Sequence, residues 1–329
     1  MHYHSLKLLL KKIILIDGIS RTGKLLTGSL VSSFKNSEHL EFGTNFEHFC
    51  PGIYFKKIDK HYAKSYITNY LNELIYNKYL SRNVNFRPTD RTGVPNSISL
   101  NTYKKRLKAK EGDGIVKLIN KQNKQVPFIT HDLLININKL NELDINYQMI
   151  QIFRNPINLV MSWYKRGLGS RYGKDQRMFT LLINKKDNIY PWYDQISGIN
   201  NKNANELERC INYVYYLTKK SIVNYKFNNL IFFYKNLNSR YKKKIFISTY
   251  ESIVGNTLEE LKKISKFLNL KITNSTLKFI KKEKCPKQLD KDKLEQNRKY
   301  IKLKVKKIFY DRIISLEHEF NNKIYKILK

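Results

Sequence analysis

Short hydrophobic runs that end at polar or glycine residues divide the chain into predicted strands and helices. Continuous runs rich in β-branched and aromatic residues predict buried strands over residues 12–16, 126–130, 147–153 and 244–249. Apolar residues at helical spacing predict helices over residues 24–34, 58–80, 101–119, 157–166, 204–225 and 257–268, and from residue 291 to the C-terminus. Because strands alternate with helices, we expect an α/β fold whose central parallel sheet is flanked by helices.

The organisation of the chain favours one domain. The sequence has 329 residues, shows no internal repeat or low-complexity linker, and offers one candidate for a long surface loop at residues 194–205. We expect a single domain over residues 1–329 with helical insertions. Its main parts are a turn and first helix within residues 10–35, a central region at residues 126–166, and a C-terminal helix over residues 290–329.

The charge of the chain points to an anionic partner. There are 62 Lys and Arg against 27 Asp and Glu, a net charge of +35. The high content of Asn, Ile, Lys, Tyr and Phe, which AT-rich codons encode, is an alternative source of this excess. Cys50, Cys210 and Cys285 are far apart and lack zinc-site spacing. With no signal peptide or membrane-length apolar run, we expect a cytoplasmic protein, with peripheral contact to an anionic membrane left open.

A phosphate-binding turn is predicted directly after the first strand. Residues 18–24 fit the pattern G-x-x-x-x-G-K between a predicted strand and a predicted helix. Successive backbone N–H groups and a helix N-terminus there would cradle phosphate oxygens, and Lys24 would add a positive charge. Position 25 is leucine, whereas a nucleotide-hydrolysing loop needs Ser or Thr there to hold Mg²⁺. The pattern therefore indicates phosphate binding without a metal, with a chance match at a strand–helix turn as the alternative.

A second anion-binding segment follows the third predicted strand. Arg154 ends this strand, Pro156 opens the next helix, and Ser162 follows eight residues after Arg154. The carboxyl ends of parallel strands border the crevice in which α/β sheets bind ligands. An arginine with a hydroxyl group at this edge suits a second phosphate group.

Taken together, these segments resemble the sulfotransferase family, which uses 3′-phosphoadenosine-5′-phosphosulfate (PAPS). Residues 21–25 resemble the family's 5′-phosphosulfate loop, and residues 154–162 its 3′-phosphate motif. Residues 247–253 and 257–268 resemble its "YE … FL" segment. The resemblance implies a P-loop NTPase-like sulfotransferase fold, PAPS as co-substrate without a metal, and transfer of a sulfuryl group to a hydroxyl. Lys24 and Leu25 depart from the small hydroxyl residues of that loop, and the glycine-rich C-terminal segment is not evident.

The resemblance also implies roles for individual residues. Arg21 and Lys24 would stabilise the leaving-group charge. The residues expected to bind PAPS are Arg21, Thr22, Gly23, Lys24, Leu25, Leu26, Arg154 and Ser162. His131 is the expected base because a Thr-His pair ends a predicted strand 23 residues before Arg154. Rival bases lie after the first helix, where other family members carry a catalytic glutamate: His39, Glu41, Glu47 and His48. The alternative to a catalytic role is that His131 only forms local hydrogen bonds and that Asp132 caps a helix.

The acceptor side is predicted from a polar segment between two helices. Residues 81–93 mix arginines, amides and an aromatic ring, and Arg82, Asn85 and Arg87 are the expected acceptor-binding residues. Lys165, Arg166 and Arg171 would extend the positive crevice. This chemistry favours a glycan or lipid-linked sugar, with a solvated surface loop as the alternative.

Three other functions are weighed against this interpretation. A P-loop kinase or NTPase shares the loop, but Leu25 argues against Mg²⁺ binding. A basic nucleic-acid-binding protein without catalysis is consistent with the charge. However, the basic residues are spread over the whole chain and no nucleic-acid-binding motif occurs. A transferase that binds the nucleotide but has lost catalysis is the third alternative.

Overall fold

The computed structural model describes residues 3–4, 6–185, 188–196, 198–235 and 244–324, with the backbone alone at 185, 227–235 and 323–324. Within these residues the strands are β1 (Ile13–Asp17), β2 (Glu41–Phe42), β3 (Val126–Ile129), β4 (Tyr147–Phe153), β5 (Leu182–Lys185), β6 (Asn188–Pro191) and β7 (Ile245–Thr249). Five of them form one sheet in the order β2-β3-β1-β4-β7, and every neighbouring pair is parallel. The predicted parallel α/β sheet is confirmed.

Helices cover this sheet and extend beyond its edges. They are α1 (Lys24–Val31), α2 (Thr44–Tyr54), α3 (Lys60–Tyr79), α4 (Leu100–Arg106), α5 (Asp113–Gln122), α6 (Ile137–Glu142), α7 (Pro156–Tyr164), α8 (Glu206–Lys235), α9 (Tyr250–Gly255), α10 (Thr257–Leu268), α11 (Asn274–Lys282), α12 (Lys291–Lys304) and α13 (Lys307–Glu319). Within the described part of the chain, none of them combines the length and the apolar character needed to cross a membrane.

Two predicted helices are each divided in the structure. The prediction of one helix over 101–119 is wrong, because α4 ends at Arg106 and Gly112 takes a φ of 116° before α5. Only glycine adopts such a backbone readily. The C-terminal stretch is likewise divided, because Val305 and Lys306 are extended between α12 and α13.

The continuous apolar run of β1 is explained by burial on both faces of the sheet. Ile13 and Leu15 pack into a core with residues of α2, α3 and α5. Ile14 and Ile16 face the opposite side and pack with residues of α1, α10 and α11. Successive side chains of a strand alternate between faces, so a strand covered on both sides must be apolar throughout.

A buried ion network holds the segment that leads into β2 and α2. Glu38 accepts hydrogen bonds from the Arg106 guanidinium at 2.8 and 3.0 Å and from the Tyr103 hydroxyl at 2.8 Å. Burial disfavours the charge of Glu38, but the hydrogen bonds and charge of Arg106, with the charge of Lys124, outweigh it and hold its pKa at about 2. The network therefore fixes the edge of the sheet from which α2 begins.

Candidate functional site

The turn after β1 is shaped by two glycines that no other residue could replace without a shift. Gly18 has a φ of 151°, and a Cβ there would lie 2.5 Å from the Ile152 carbonyl oxygen. Gly23 has a φ of 96°, and a Cβ there would lie 2.6 Å from the ring of Tyr250. The turn thus packs closely between β4 and α9. No side chain caps α1, so the N–H groups of its first turn point out of the helix end and can bind an anion.

Lys24 is buried inside the turn. Its ammonium donates hydrogen bonds to the carbonyl oxygens of Gly18 and Ile19, both at 2.7 Å. Burial lowers the pKa of Lys24 to about 8, although the nearby charges of Asp17 and Asp132 oppose this change. Lys24 therefore secures the shape of the turn in this structure.

Thr22, Leu25 and Leu26 complete the turn and the start of α1. The Thr22 hydroxyl donates to the carbonyl oxygen of Ile19 at 2.9 Å, so it also serves the turn itself. Leu25 and Leu26 lie partly buried in the first turn of α1, and their backbone belongs to the uncapped helix end. Of these residues, it is the backbone that is placed to bind a ligand.

Asp17 joins the ends of β1 and β3. It accepts hydrogen bonds from the Thr130 hydroxyl at 2.9 Å and from the backbone N–H groups of Leu133 and Leu134 at 3.1 and 3.0 Å. Burial raises its pKa despite these bonds. The turn after β1 and His131 consequently lie at the same edge of the sheet.

Arg21, Arg154 and Arg166 gather beside the turn. Arg154 donates to the carbonyl oxygen of Arg21 at 2.9 Å and stacks on Tyr250, with its guanidinium 4.4 Å from the ring centre. Arg21 donates to the Ser162 hydroxyl at 3.2 Å. The structure thus brings together the residues expected to bind the two phosphate ends.

This arginine cluster carries unbalanced positive charge. Burial lowers the pKa of Arg21, and the charges of Arg166 and Arg154 lower it further. Within the described residues, none of the three forms an ion pair with a carboxylate, and the Nε of Arg154 is buried with no hydrogen-bond partner. An unsatisfied buried donor among unpaired cations fits an anionic group.

His131 and Glu47 form a hydrogen-bonded pair. Nδ1 of His131 lies 3.0 Å from Oε1 of Glu47, and the His131 backbone N–H donates to the same oxygen at 2.9 Å. With Nδ1 donating to this carboxylate, Nε2 is left to accept a proton. Sequence reasoning treated the two residues as rival bases, and the structure places them in one unit.

The other rival bases lie in different surroundings. Glu41 forms an ion pair with Lys78 at 2.6 Å, and Nε2 of His39 bonds the carbonyl oxygen of Thr92 at 2.7 Å. Burial lowers the pKa of His39. His48 lies on the cavity wall described next, where its Nε2 contacts the Phe179 carbonyl oxygen at 3.1 Å.

A cavity of about 420 Å³ lies beside the His131–Glu47 pair and the turn after β1. Ser20 of the turn lines it, and the indole N–H of Trp163 donates to the Ser20 carbonyl oxygen at 2.8 Å. Its aromatic wall consists of Phe42, Trp163, Phe179, Trp192 and Tyr193, and its polar lining includes Glu47, His48, His131, Asp132, Arg171 and Arg177. A molecule in this cavity would contact the His131–Glu47 pair and lie next to the turn.

The predicted acceptor-binding residues lie outside the lining of this cavity. Arg82 pairs with Glu111 at 2.6 Å, and the Asn85 side chain bonds Asp90 at 2.8 Å. The backbone N–H of Arg87 donates to the Asn85 side chain at 3.0 Å. The segment therefore stabilises its own loop, and its role in acceptor binding stays a prediction.

The C-terminal helices contact residues 154–162, and sequence reasoning did not identify this support. Asn297 of α12 donates to the Asn158 side chain at 2.9 Å. Glu317 of α13 accepts from the Asn155 side chain at 3.0 Å and pairs with Arg298 at 2.9 Å. These contacts join residues far apart in sequence, so no local motif could signal them.

In the part of the chain that the structure describes, no group of three or more His, Cys, Asp or Glu is arranged to hold a metal.

Comparisons with known proteins agree with the resemblance. The family model described as the sulfotransferase domain matches residues 11–326. Among solved structures, the chain is similar to the sulfotransferase domain from the curacin biosynthetic pathway, with 13% identity, a TM-score of 0.46, and coverage of 93% of this chain and 97% of that one. It is also similar to the sulfotransferase domain from the Synechococcus PCC 7002 olefin synthase (12%, TM-score 0.41, coverage 88% and 82%). Sulfotransferase STF1 from Mycobacterium tuberculosis H37Rv gives 10% identity, a TM-score of 0.39 and coverage of 88% and 76%. A search of curated proteins gave no significant match.

Proposed function

The chain belongs to the sulfotransferase family, and we propose that it transfers the sulfuryl group of PAPS to a hydroxyl of an acceptor in the cavity beside His131. The observation that carries the proposal is the cluster of arginines without carboxylate partners at the turn after β1, together with the His131–Glu47 pair in a cavity that Ser20 of the same turn also lines. One side of the site suits a nucleotide with several phosphate oxygens. The other side can take a proton from an alcohol.

The donor side is assigned from the positions of its cations. Arg21 and the backbone of the turn would contact the 5′ phosphosulfate, while Arg154 and Ser162 would hold the 3′-phosphate. PAPS supplies an activated sulfuryl group and leaves as 3′-phosphoadenosine-5′-phosphate (PAP). Positive groups fixed before the reaction favour the negative charge that develops on the leaving phosphate. Lys24 would act mainly by holding the turn in shape.

The acceptor proton is assigned to His131. Its Nε2 would take the proton of the acceptor hydroxyl as the oxygen attacks sulfur. Glu47 would keep the ring in the required tautomer through Nδ1 and would stabilise the imidazolium that forms. A metal is not needed in this scheme, since the arginines and the backbone N–H groups supply the positive charge.

The acceptor is proposed to be a glycan or a lipid-linked sugar. The aromatic wall of the cavity offers flat surfaces on which the apolar face of a sugar ring can pack. Arg171 lines the same cavity, and its Nε is buried without a hydrogen-bond partner, so it can donate to a hydroxyl or an acidic group. Arg171 and Arg177 both pair with Asp175, so this group of three side chains carries one net positive charge.

Titration of the protein with PAP in the presence of Mg²⁺ and in the presence of a chelator tests the donor assignment. We expect saturable binding with the same affinity under both conditions. Incubation with ³⁵S-labelled PAPS and a glycan library should then give labelled product. Failure to bind PAP would refute the proposal, and Mg²⁺-dependent ATP turnover would support a kinase or NTPase instead.

A further inference from the structure

Asp132 is a carboxylic acid in the cavity wall that the proposed reaction does not use. It directly follows His131 and lines the same cavity. Its Oδ1 is shielded from solvent and has no hydrogen-bond partner among the described residues. Asp132 precedes the short 3₁₀ helix Leu133–Asn136, but its side chain makes no capping hydrogen bond. The capping role considered from the sequence is therefore not realised.

The conformation of Asp132 is unfavourable in two respects. Its φ of 61° lies in the left-handed region, which costs energy for any residue except glycine, although Asp and Asn tolerate it best. A buried polar atom without a partner also destabilises the fold. Burial and the neighbouring charge of Asp17 also raise the pKa of Asp132 well above its ordinary value, while Lys24 opposes this. Such features persist mainly at functional sites.

The charged groups around Asp132 are already engaged by other partners. Lys24 donates to two carbonyl oxygens of the phosphate turn. Asp17 accepts three hydrogen bonds, and Glu47 accepts two from His131. Oδ1 of Asp132 thus has no partner among the described residues, and the residue lines the cavity from which a donor would enter.

We propose that Asp132 binds a second hydroxyl of the acceptor, close to the hydroxyl whose proton His131 removes, so that the enzyme selects diols such as sugar rings over mono-alcohols. This inference rests on the proposed function and narrows its acceptor class. An ionised carboxylate accepts a hydrogen bond from a hydroxyl, and a protonated carboxyl group can accept one and donate one. The contact therefore forms in either protonation state.

Binding of two matched alcohols to the enzyme–PAP complex tests this inference. 1-Phenyl-1,2-ethanediol and 2-phenylethanol share a carbon skeleton and differ by one hydroxyl, and their aromatic ring suits the cavity wall. We expect calorimetry to show at least about tenfold tighter binding of the diol, because its second hydroxyl gives a buried, otherwise unpartnered carboxyl oxygen a hydrogen bond. Asp132→Gly, which accepts the positive φ, should reduce this preference to less than about threefold.

Two further variants make the test specific. Asp132→Asn keeps one acceptor oxygen and should keep part of the diol preference. Its melting temperature should equal or exceed that of the unchanged protein, because a buried, unpaired acid is removed. Asp144 also has a positive φ, of 51°, but its side chain is 83% exposed, so Asp144→Gly is a matched control that should leave the preference intact.

Each remaining outcome counts against the inference. Equal binding of the two alcohols to the unchanged protein, whether both bind or neither does, would overturn it. So would a diol preference that survives in Asp132→Gly, or a strong loss of stability in Asp132→Asn, which would indicate a structural role. Failure of PAP to bind would overturn the proposed function as well, which separates that failure from the others.

Discussion

Replacing Arg154 with alanine should weaken binding of PAP far more than binding of AMP, which lacks the 3′-phosphate. One Nη atom of Arg154 donates to the carbonyl oxygen of Arg21, while its Nε is buried without a partner. A phosphate oxygen that accepts from this guanidinium gains a charge-assisted hydrogen bond of about 1.5–3 kcal/mol. A fork of two such bonds would contribute about 3 kcal/mol or more, which corresponds to about 150-fold in affinity.

Isothermal titration calorimetry at physiological salt measures this effect. We expect Arg154→Ala to lose about 150-fold in affinity for PAP and less than about threefold for AMP. Arg154→Lys keeps the charge but not the planar fork, so its loss for PAP should be intermediate. Arg177→Ala is a suitable control, because Arg177 is an exposed arginine whose guanidinium already pairs with Asp175.

An equal loss of affinity for PAP and AMP would refute the reasoning. Arg154 would then act by supporting the turn through the Arg21 carbonyl group, and the 3′-phosphate would be recognised elsewhere. No loss for either nucleotide would place the nucleotide away from the arginine cluster.

Three further changes test the site and the fold. His131→Ala should lower kcat by about 10²–10⁴-fold with unchanged PAP affinity, and retained turnover would contradict its role as base. Glu47→Gln should cause a smaller loss, since the ring keeps a hydrogen-bond partner; a loss as large as that of His131→Ala would identify Glu47 as the base. Glu38→Gln should change the acid profile of unfolding. The pKa of Glu38, about 2, lies below its ordinary value of 4.5, so this carboxylate stabilises the fold above pH 4.5 and loses that contribution as the pH falls towards 2. Between pH 4.5 and pH 2 the free energy of unfolding of the unchanged protein should fall by about 3 kcal/mol more than that of the variant. Urea unfolding measures this difference, and identical pH profiles for the two proteins would contradict the argument.

Local patterns were sufficient where one element carries its own signal. The prediction of a strand over residues 147–153 matches β4, because a strand buried on both faces is apolar throughout. The prediction over residues 257–268 matches α10, whose apolar residues keep one helical face. By contrast, α2 was not predicted, since Pro51 and Gly52 lie within it and are typical of helix ends. The strand β2 has only two residues and gives no periodic signal.

The candidate site likewise contains residues that the sequence indicated and contacts that it could not show. Arg154 was assigned because it ends a predicted strand, and Arg21 because residues 21–25 resemble the family's 5′-phosphosulfate loop. The Glu47–His131 contact joins residues 84 positions apart, and the packing of α2 against the sheet edge creates it. The polar composition of residues 81–93 indicated a loop but could not show which way it faces. Asn85, Asp90 and Thr92 bond one another, and the cavity is instead completed by residues such as Trp163 and Trp192.

The hairpin of β5 and β6 has a consequence for how this enzyme can diversify. Within the described residues these strands pair only with each other, while Met178, Phe179, Leu181 and Trp192 beside them line the cavity. The residues proposed to bind the donor lie in the connections after β1 and β4 and on α1 and α7. Insertions or exchanges in the hairpin would therefore reshape the acceptor wall without disturbing a ladder of the central sheet. Grafting a hairpin from another family member onto this scaffold is accordingly the most direct route to a new acceptor with an unchanged sulfate donor.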